Sequence, residues 1–199
     1  MNEAAAIQPS FEIRRVAIIG AGVAGRSFAL ACAGAGFHVV LEDVMPAKLR
    51  KAETDFAECA ALSQRGTAGR LELALTVEDA VREADVAVDF VPDELESKLE
   101  IFSMIDRMAP PKTILCTPSD ALSITDLASC VYRPERCVAV RGNLLRGEGA
   151  DVPVIRLLYP ASVAESTLAA VDKFLQTLGV EVRRESDPEV PLLMKNVLG

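Results

Sequence analysis

The stretch RRVAIIGAGVAGRSFALACAGAGFHVVLEDV, residues 14–44, decides the fold. Its apolar run Val16–Ile19 reads as a buried strand, and Gly20, Gly22 and Gly25 follow it as G-x-G-x-x-G, opening a segment with helical spacing over residues 23–35. A second apolar run, 38–41, ends in two acids, Glu42 and Asp43, the latter 18 residues beyond Gly25. Glycine-rich turns are common. Strand, turn, helix, strand and acid in this order and at this spacing are what a dinucleotide requires. Gly20 allows a tight turn, Gly22 lets the backbone approach a pyrophosphate, and Gly25 lets the helix lie close to the strand. The helix start, at Val23 and Ala24, offers free N–H groups and a positive dipole end. Asp43 can accept hydrogen bonds from ribose hydroxyls, its charge opposes a 2′-phosphate, and no arginine stands at 44 or 45 to reverse that. The expected cofactor is therefore NAD rather than NADP.

Outward from this stretch the pattern keeps alternating. Short apolar runs at 71–75, 85–89, 112–116, 136–140, 152–158 and 180–184 read as strands, with helical spacing at 47–64, 77–83, 94–108, 123–130 and 161–178. The expected fold is α/β: a Rossmann-type doubly wound, mostly parallel sheet with helices on both faces. Residues 1–12 read as a flexible tail, 13–188 as the dinucleotide-binding domain, and 189–199 as an apolar C-terminal segment. That segment, VPLLMKNVL and its neighbours, either forms a homodimer or partner contact through residues 190–198 or folds back on its own sheet.

With 199 residues, half of them apolar, the chain can bury one substantial core. A net charge of −8 with scattered basic residues excludes nucleic acid and anionic membrane as partners. Five cysteines form no CxxC pair and only one histidine is present, so neither a metal site nor a disulfide framework is spelled out. Buried thiols in a reducing cytoplasm are the expectation. His38 sits within a strand run and reads as a strand residue rather than a base or ligand. No stretch of 18 uncharged apolar residues exists to span a membrane.

The order of motifs from residue 14 to about 188 resembles the NAD-binding domain of the 3-hydroxyacyl-CoA dehydrogenases of fatty-acid β-oxidation. Besides the glycine stretch, the matching pieces are ADVAVDFVPDELESKLEIF, TILCTPSDALSITDLA and RPERCVAV. The resemblance implies an oxidoreductase of fatty-acid metabolism acting on a small-molecule substrate, an acyl-CoA. It places Phe90, Val91 and Asp93 near the nicotinamide half of NAD, with Asp93 standing for the family's glutamate. It also puts Lys98 near cofactor and substrate, and counts Thr117 among the cofactor contacts. The family's helical hairpin after the second strand is shortened between residues 45 and 70, and its C-terminal helical domain lies beyond the resemblance.

The family's catalytic positions are all changed. Aligned on LSIT, residues 122–125, its N-T-S-S segment becomes Pro118, Ser119, Asp120 and Ala121, so Asp120 replaces the serine that holds substrate oxygen. The histidine of H-F-F-N-P is Arg141, followed by Gly142, Asn143, Leu144 and Leu145; the glutamate that orients it falls on Pro153. The family asparagine falls near Leu193, with Glu189 in place of a glycine. Arginine does not give up its proton and cannot act as a base. By this comparison no catalytic residue survives, and Asp120, Arg141 and Asn143 are the substrate-end candidates. Arg141 either joins Arg146 in receiving a small anion or pairs with Asp120. The alternatives to a dehydrogenase of this family are a non-catalytic module that senses NAD(H) or serves a partner chain, and a sugar-acid dehydrogenase of 6-phosphogluconate type.

Overall fold

A computed structural model describes residues 11–62, 69–143 and 152–187. The elements run β1 (Arg15–Ile19), α1 (Val23–Gly34), β2 (His38–Glu42), α2 (Pro46–Leu62), β3 (Arg70–Ala74), α3 (Val77–Val81), β4 (Val86–Asp89) and α4 (Leu95–Met108). They continue as β5 (Ile114–Pro118), α5 (Ile124–Ala128), a short 3₁₀ turn at Pro134–Arg136, β6 (Cys137–Arg141), β7 (Val154–Tyr159), α6 (Glu165–Thr177) and β8 (Glu181–Ser186). All eight strands join one sheet in the order β3-β2-β1-β4-β5-β6-β7-β8. The chain winds outward from β1 to β3, returns to β4 on the other side of β1, and so leaves a topological switch point between β1 and β4.

The sheet is parallel from β3 to β6, as the alternating pattern requires, and β7 runs antiparallel to β6. Period-2 patterning reveals a strand but not its direction, and an antiparallel neighbour needs no crossover helix. The strand expected at 180–184 is β8, parallel to β7 along Val154↔Glu181 through Tyr159↔Ser186. Four helix starts differ from the sequence reading, those of α2, α4 and α5 by one residue and that of α6 by four. The Pro-Ala-Ser stretch at 160–162 is a turn, and α6 begins at Glu165; α2 begins at Pro46. Proline suits a first helical position because its missing N–H is unneeded there.

Every residue of β4 is buried, which explains why Val86-Ala87-Val88 shows no polar alternation. One face of the sheet packs on α1 and α6 through Phe28, Phe37 and Phe174, whose rings meet edge to face, Phe37 to Phe174 at 5.0 Å between centroids. The other packs on α3, α4 and α5 through Val81, Phe102, Ile105 and Leu127. Thr76 caps α3 and Ser123 caps α5, each side chain accepting a hydrogen bond from an N–H three residues on. At the outer edge, Arg184 of β8 pairs with Asp172 and Glu165 of α6, a charged edge that discourages pairing with another chain.

Three thiols, Cys32, Cys116 and Cys137, are buried as expected, but Cys59 and Cys130 are exposed. Among the described residues no helix is long and apolar enough to cross a membrane. The segments 1–10 and 188–199 lie outside the described residues, and with them the expected interface at 190–198; so do Leu144–Asp151, Glu189 and Leu193.

Candidate functional site

At the switch point the carboxyl ends of β1, β2 and β4 open onto a cleft of about 600 Å³. Gly20, Gly22, Glu42, Asp43, Val44, Lys48, Phe90, Val91, Ile101 and Met104 are among the residues that line it. The three glycines do separate work. Gly20 has φ +102°, where a side chain is strained, and a Cβ there would also sit 3.1 Å from the Phe90 carbonyl oxygen. A Cβ on Gly25 would fall 2.0 Å from the Gly20 oxygen, so only glycine lets α1 leave the turn this closely. Among the described residues a Cβ on Gly22 would meet nothing within 4 Å. Its absence therefore serves no packing against them and leaves open the space above the turn.

Gly22 caps α1 without a side-chain hydrogen bond, and the first turn carries no acidic residue. The helix start is thus left positive and its first amides are available to an external acceptor. A dinucleotide pyrophosphate fits this cradle: open space at Gly22, a bare helix start, and a carboxylate beyond the next strand.

That carboxylate is Asp43, 5% exposed. Its Oδ2 accepts from the Ala21 N–H at 2.9 Å and from Lys48 Nζ at 3.0 Å, and its Oδ1 accepts from the Met45 N–H at 2.9 Å. Burial pushes the Asp43 carboxyl up, but the hydrogen bonds from Met45, Lys48 and Ala21 outweigh it and hold the group below its ordinary value. Asp43 therefore also ties β2 to the glycine turn. Beside it Glu42 is 4% exposed, and burial, then the neighbouring Asp43 charge, pushes its carboxyl up.

Of the residues expected on the cofactor side, Gly20, Gly22, Asp43, Phe90 and Val91 line the cleft, and Val23 is 75% exposed at the first turn of α1. Ala24 also lies in that turn, and Gly25 packs beneath it. Two of the expected residues lie buried rather than along the cleft. Lys98 does not face the cleft: it is 1% exposed, and its ammonium donates to Asp89 Oδ1 at 2.7 Å and to the Pro118 carbonyl at 3.0 Å. An ammonium drawn into the sheet can stay charged only against such partners. Thr117 is likewise sealed, at 0% exposed. Asp93 links the two loops at the substrate end by accepting from the Asp120 N–H at 3.1 Å.

The substrate end departs from the ion pair read as one alternative for Arg141. Its Nε donates to the Ser119 carbonyl at 3.2 Å and its Nη2 to the Leu122 carbonyl at 2.9 Å. Arg141 thus clamps the loop between β5 and α5, and among the described residues it makes no ion pair with Asp120. Gly142, with φ +112°, turns the chain after β6, and Asn143 is exposed beyond it. The same loop is held from the other side by Asp187, whose Oδ2 accepts from Ser123 Oγ and the Thr125 N–H. Pro153 lies just before β7, and its carbonyl accepts from the Glu181 N–H.

Sequence reasoning missed Lys48 and Glu42 as parts of the cleft. The paired acids at the end of β2 were the available signal for Glu42. Nothing in the sequence set Lys48 apart from other solvated lysines.

Comparison with known proteins agrees with this geometry. The model of the family "3-hydroxyacyl-CoA dehydrogenase, NAD binding domain" matches residues 15–141. A probable 3-hydroxybutyryl-CoA dehydrogenase of Bacillus subtilis (strain 168) is 31% identical over 139 residues, 65% of this chain and 48% of the relative. An L-carnitine dehydrogenase of Pseudomonas syringae pv. syringae is 28% identical over 183 residues, 87% of this chain and 57% of the relative. The solved structure of (S)-3-hydroxybutyryl-CoA dehydrogenase from Ralstonia eutropha shares the fold, with a TM-score of 0.77 and 23% identity over 89% of this chain and 65% of that one. The chain spans about half the length of the curated relatives it matches.

Proposed function

Because this chain belongs to the 3-hydroxyacyl-CoA dehydrogenase family through its NAD-binding domain, we propose that it holds NAD(H) at the β1–β4 switch point without the family's acid–base chemistry at the substrate end. When bound, NAD supplies a hydride acceptor. The chain's own part begins with the first-turn amides of α1 and the open space at Gly22, which receive the pyrophosphate. Asp43 orients the adenosine ribose.

Where the resemblance puts the general base, Arg141 spends two of its N–H groups on the Ser119 and Leu122 carbonyls. This clamp is the observation that carries the reading. The guanidinium holds a loop and keeps its proton; among the described residues no carboxylate pairs with it, and Pro153 stands where the resemblance puts the orienting acid. General acid–base help is worth about 10²–10⁴ in rate. Placement of the nicotinamide alone therefore leaves hydroxyacyl-CoA oxidation slow, and the domain acts chiefly as an NAD(H)-binding module.

Titration calorimetry with NAD and NADH, followed by an absorbance assay of NADH with acetoacetyl-CoA, tests this. The expected result is saturable binding of both nucleotides with turnover at least ~10²-fold below an ordinary family member. A rate within about tenfold of such an enzyme overturns the non-catalytic reading and places the base elsewhere.

A further inference from the structure

The hydrogen-bond capacity of Asp43 does not match its role as a ribose acceptor. A carboxylate offers about four lone-pair sites. Ala21 N–H, Met45 N–H and Lys48 Nζ already take three of them. Two ribose hydroxyls cannot both be accepted unless a donor leaves. The two amides belong to the glycine turn and to the chain just after β2, and both are fixed by the backbone. Lys48, on the first turn of α2 with its side chain 42% exposed, is the donor free to move. It is also the one cation among the described residues lining the cleft, facing the carboxyls of Glu42 and Asp43.

Resting on the NAD cleft described above, we propose that Lys48 sets the selectivity between NAD and NADP by partly cancelling the charge with which Asp43 rejects a 2′-phosphate. Its ammonium neutralises Asp43 at 3.0 Å. Once a ribose occupies the carboxylate, the displaced ammonium remains within reach of the ribose 2′ position. With NAD it returns to solvent or to Glu42, whereas with NADP it donates to the phosphate. Asp43 alone makes a strict NAD site; Asp43 with Lys48 makes a site that prefers NAD but tolerates NADP.

The test is calorimetric titration of the unmutated chain, Lys48→Met and Lys48→Gln with NAD and with NADP. Lys48 is substantially exposed, and unchanged thermal unfolding midpoints establish that both variants fold. The expected outcome is that NADP binds the unmutated chain measurably but more weakly than NAD. Both variants should raise the Kd for NADP by ~10-fold or more while moving that for NAD less than about threefold. Equal shifts for the two nucleotides, or an unchanged ratio with NAD binding intact, overturn the role of Lys48 and leave the NAD cleft standing. Failure of the unmutated chain to bind either nucleotide overturns both.

Discussion

Lys98 and Asp89 form an ion pair at 2.7 Å with side chains 1% and 0% exposed, the most deeply buried pair of charges among the described residues. It joins the carboxyl end of β4 to the first turn of α4, and through the Pro118 carbonyl it also holds the end of β5. Burial pushes the Asp89 carboxyl up, against the pull of the Lys98 charge. Removing one member leaves the other uncompensated in the interior. Lys98→Met should lower the unfolding free energy by about 3–5 kcal/mol, measured in denaturant, and Asp89→Asn in the same chain should recover much of it. A Lys98→Met variant as stable as the parent would show that the pair is not holding these strands together.

Asp85 illustrates the opposite shift. It is 6% exposed and accepts from the Arg14 and Arg15 N–H groups and from Lys112. Burial pushes its carboxyl up, but Lys112 and the two backbone donors prevail and hold it below its ordinary value. A carboxyl depressed in the folded state contributes stability that is present above its unfolded pKa of about 3.9 and disappears as pH falls through the folded value. Asp85→Asn should therefore be less stable than the parent at pH 7, and the two unfolding curves should converge only once the pH has fallen below the ordinary aspartate value and through the lowered folded one. Parallel curves across that window would contradict the assignment.

The arginine at the substrate end should behave as a structural clamp. Arg141→Ala removes the donors to the Ser119 and Leu122 carbonyls and frees the loop between β5 and α5. Hydrogen bonds to charged groups contribute about 1.5–3 kcal/mol, so a loss of that order is expected, with faster amide exchange at residues 119–123. Unchanged exchange in this loop would argue that Arg141 faces a ligand instead.

What the sequence made legible follows from what carries a local signal. Gly20, Gly22 and Gly25 announce themselves because their spacing is covalent, and Asp43 because it ends a strand at a fixed distance from them. The pair Asp89–Lys98 hides, since nine residues of strand end, loop and helix start must fold before the two groups meet. The partners of Arg141 are backbone carbonyls, which every residue has, so the sequence suggested only charged acceptors for it, Asp120 or a small anion. Lys48 reads as a solvated helix residue until α2 turns its first turn back over Asp43. The direction of β7 was hidden for a different reason, because alternation is the same along parallel and antiparallel strands.

Thiol accessibility provides an independent check on the fold. Cys59 and Cys130 are exposed, while Cys32, Cys116 and Cys137 are buried. Burial pushes the Cys116 thiol up to about 12 and the other two up as well, which suppresses the reactive thiolate. Two thiols should therefore react rapidly with a disulfide reagent at pH 8, and the remaining three only on unfolding. Rapid reaction of a third would indicate that a helix covering the sheet opens.

The glycine turn gives the sharpest separation of fold from cofactor binding. A Cβ on Gly25 lands 2.0 Å from the Gly20 oxygen, so Gly25→Ala must push α1 away from β1. That change should destabilise the chain by several kcal/mol, as overpacking at an unyielding backbone contact does, and should lose the nucleotide only as a consequence. A Cβ on Gly22 meets no atom of the described residues within 4 Å, and that residue has φ −63°, open to any side chain. Gly22→Ala should thus leave the unfolding free energy within about 0.5 kcal/mol of the parent, since alanine also lowers the entropy of the unfolded chain. Gly22→Val carries the same logic with a larger side chain. If the space above Gly22 receives a pyrophosphate, both variants should weaken NAD, valine by ~10-fold or more, because the added carbons intrude where the backbone and phosphate approach. Folded Gly22→Ala and Gly22→Val proteins that bind NAD as tightly as the parent would place the pyrophosphate somewhere other than this turn.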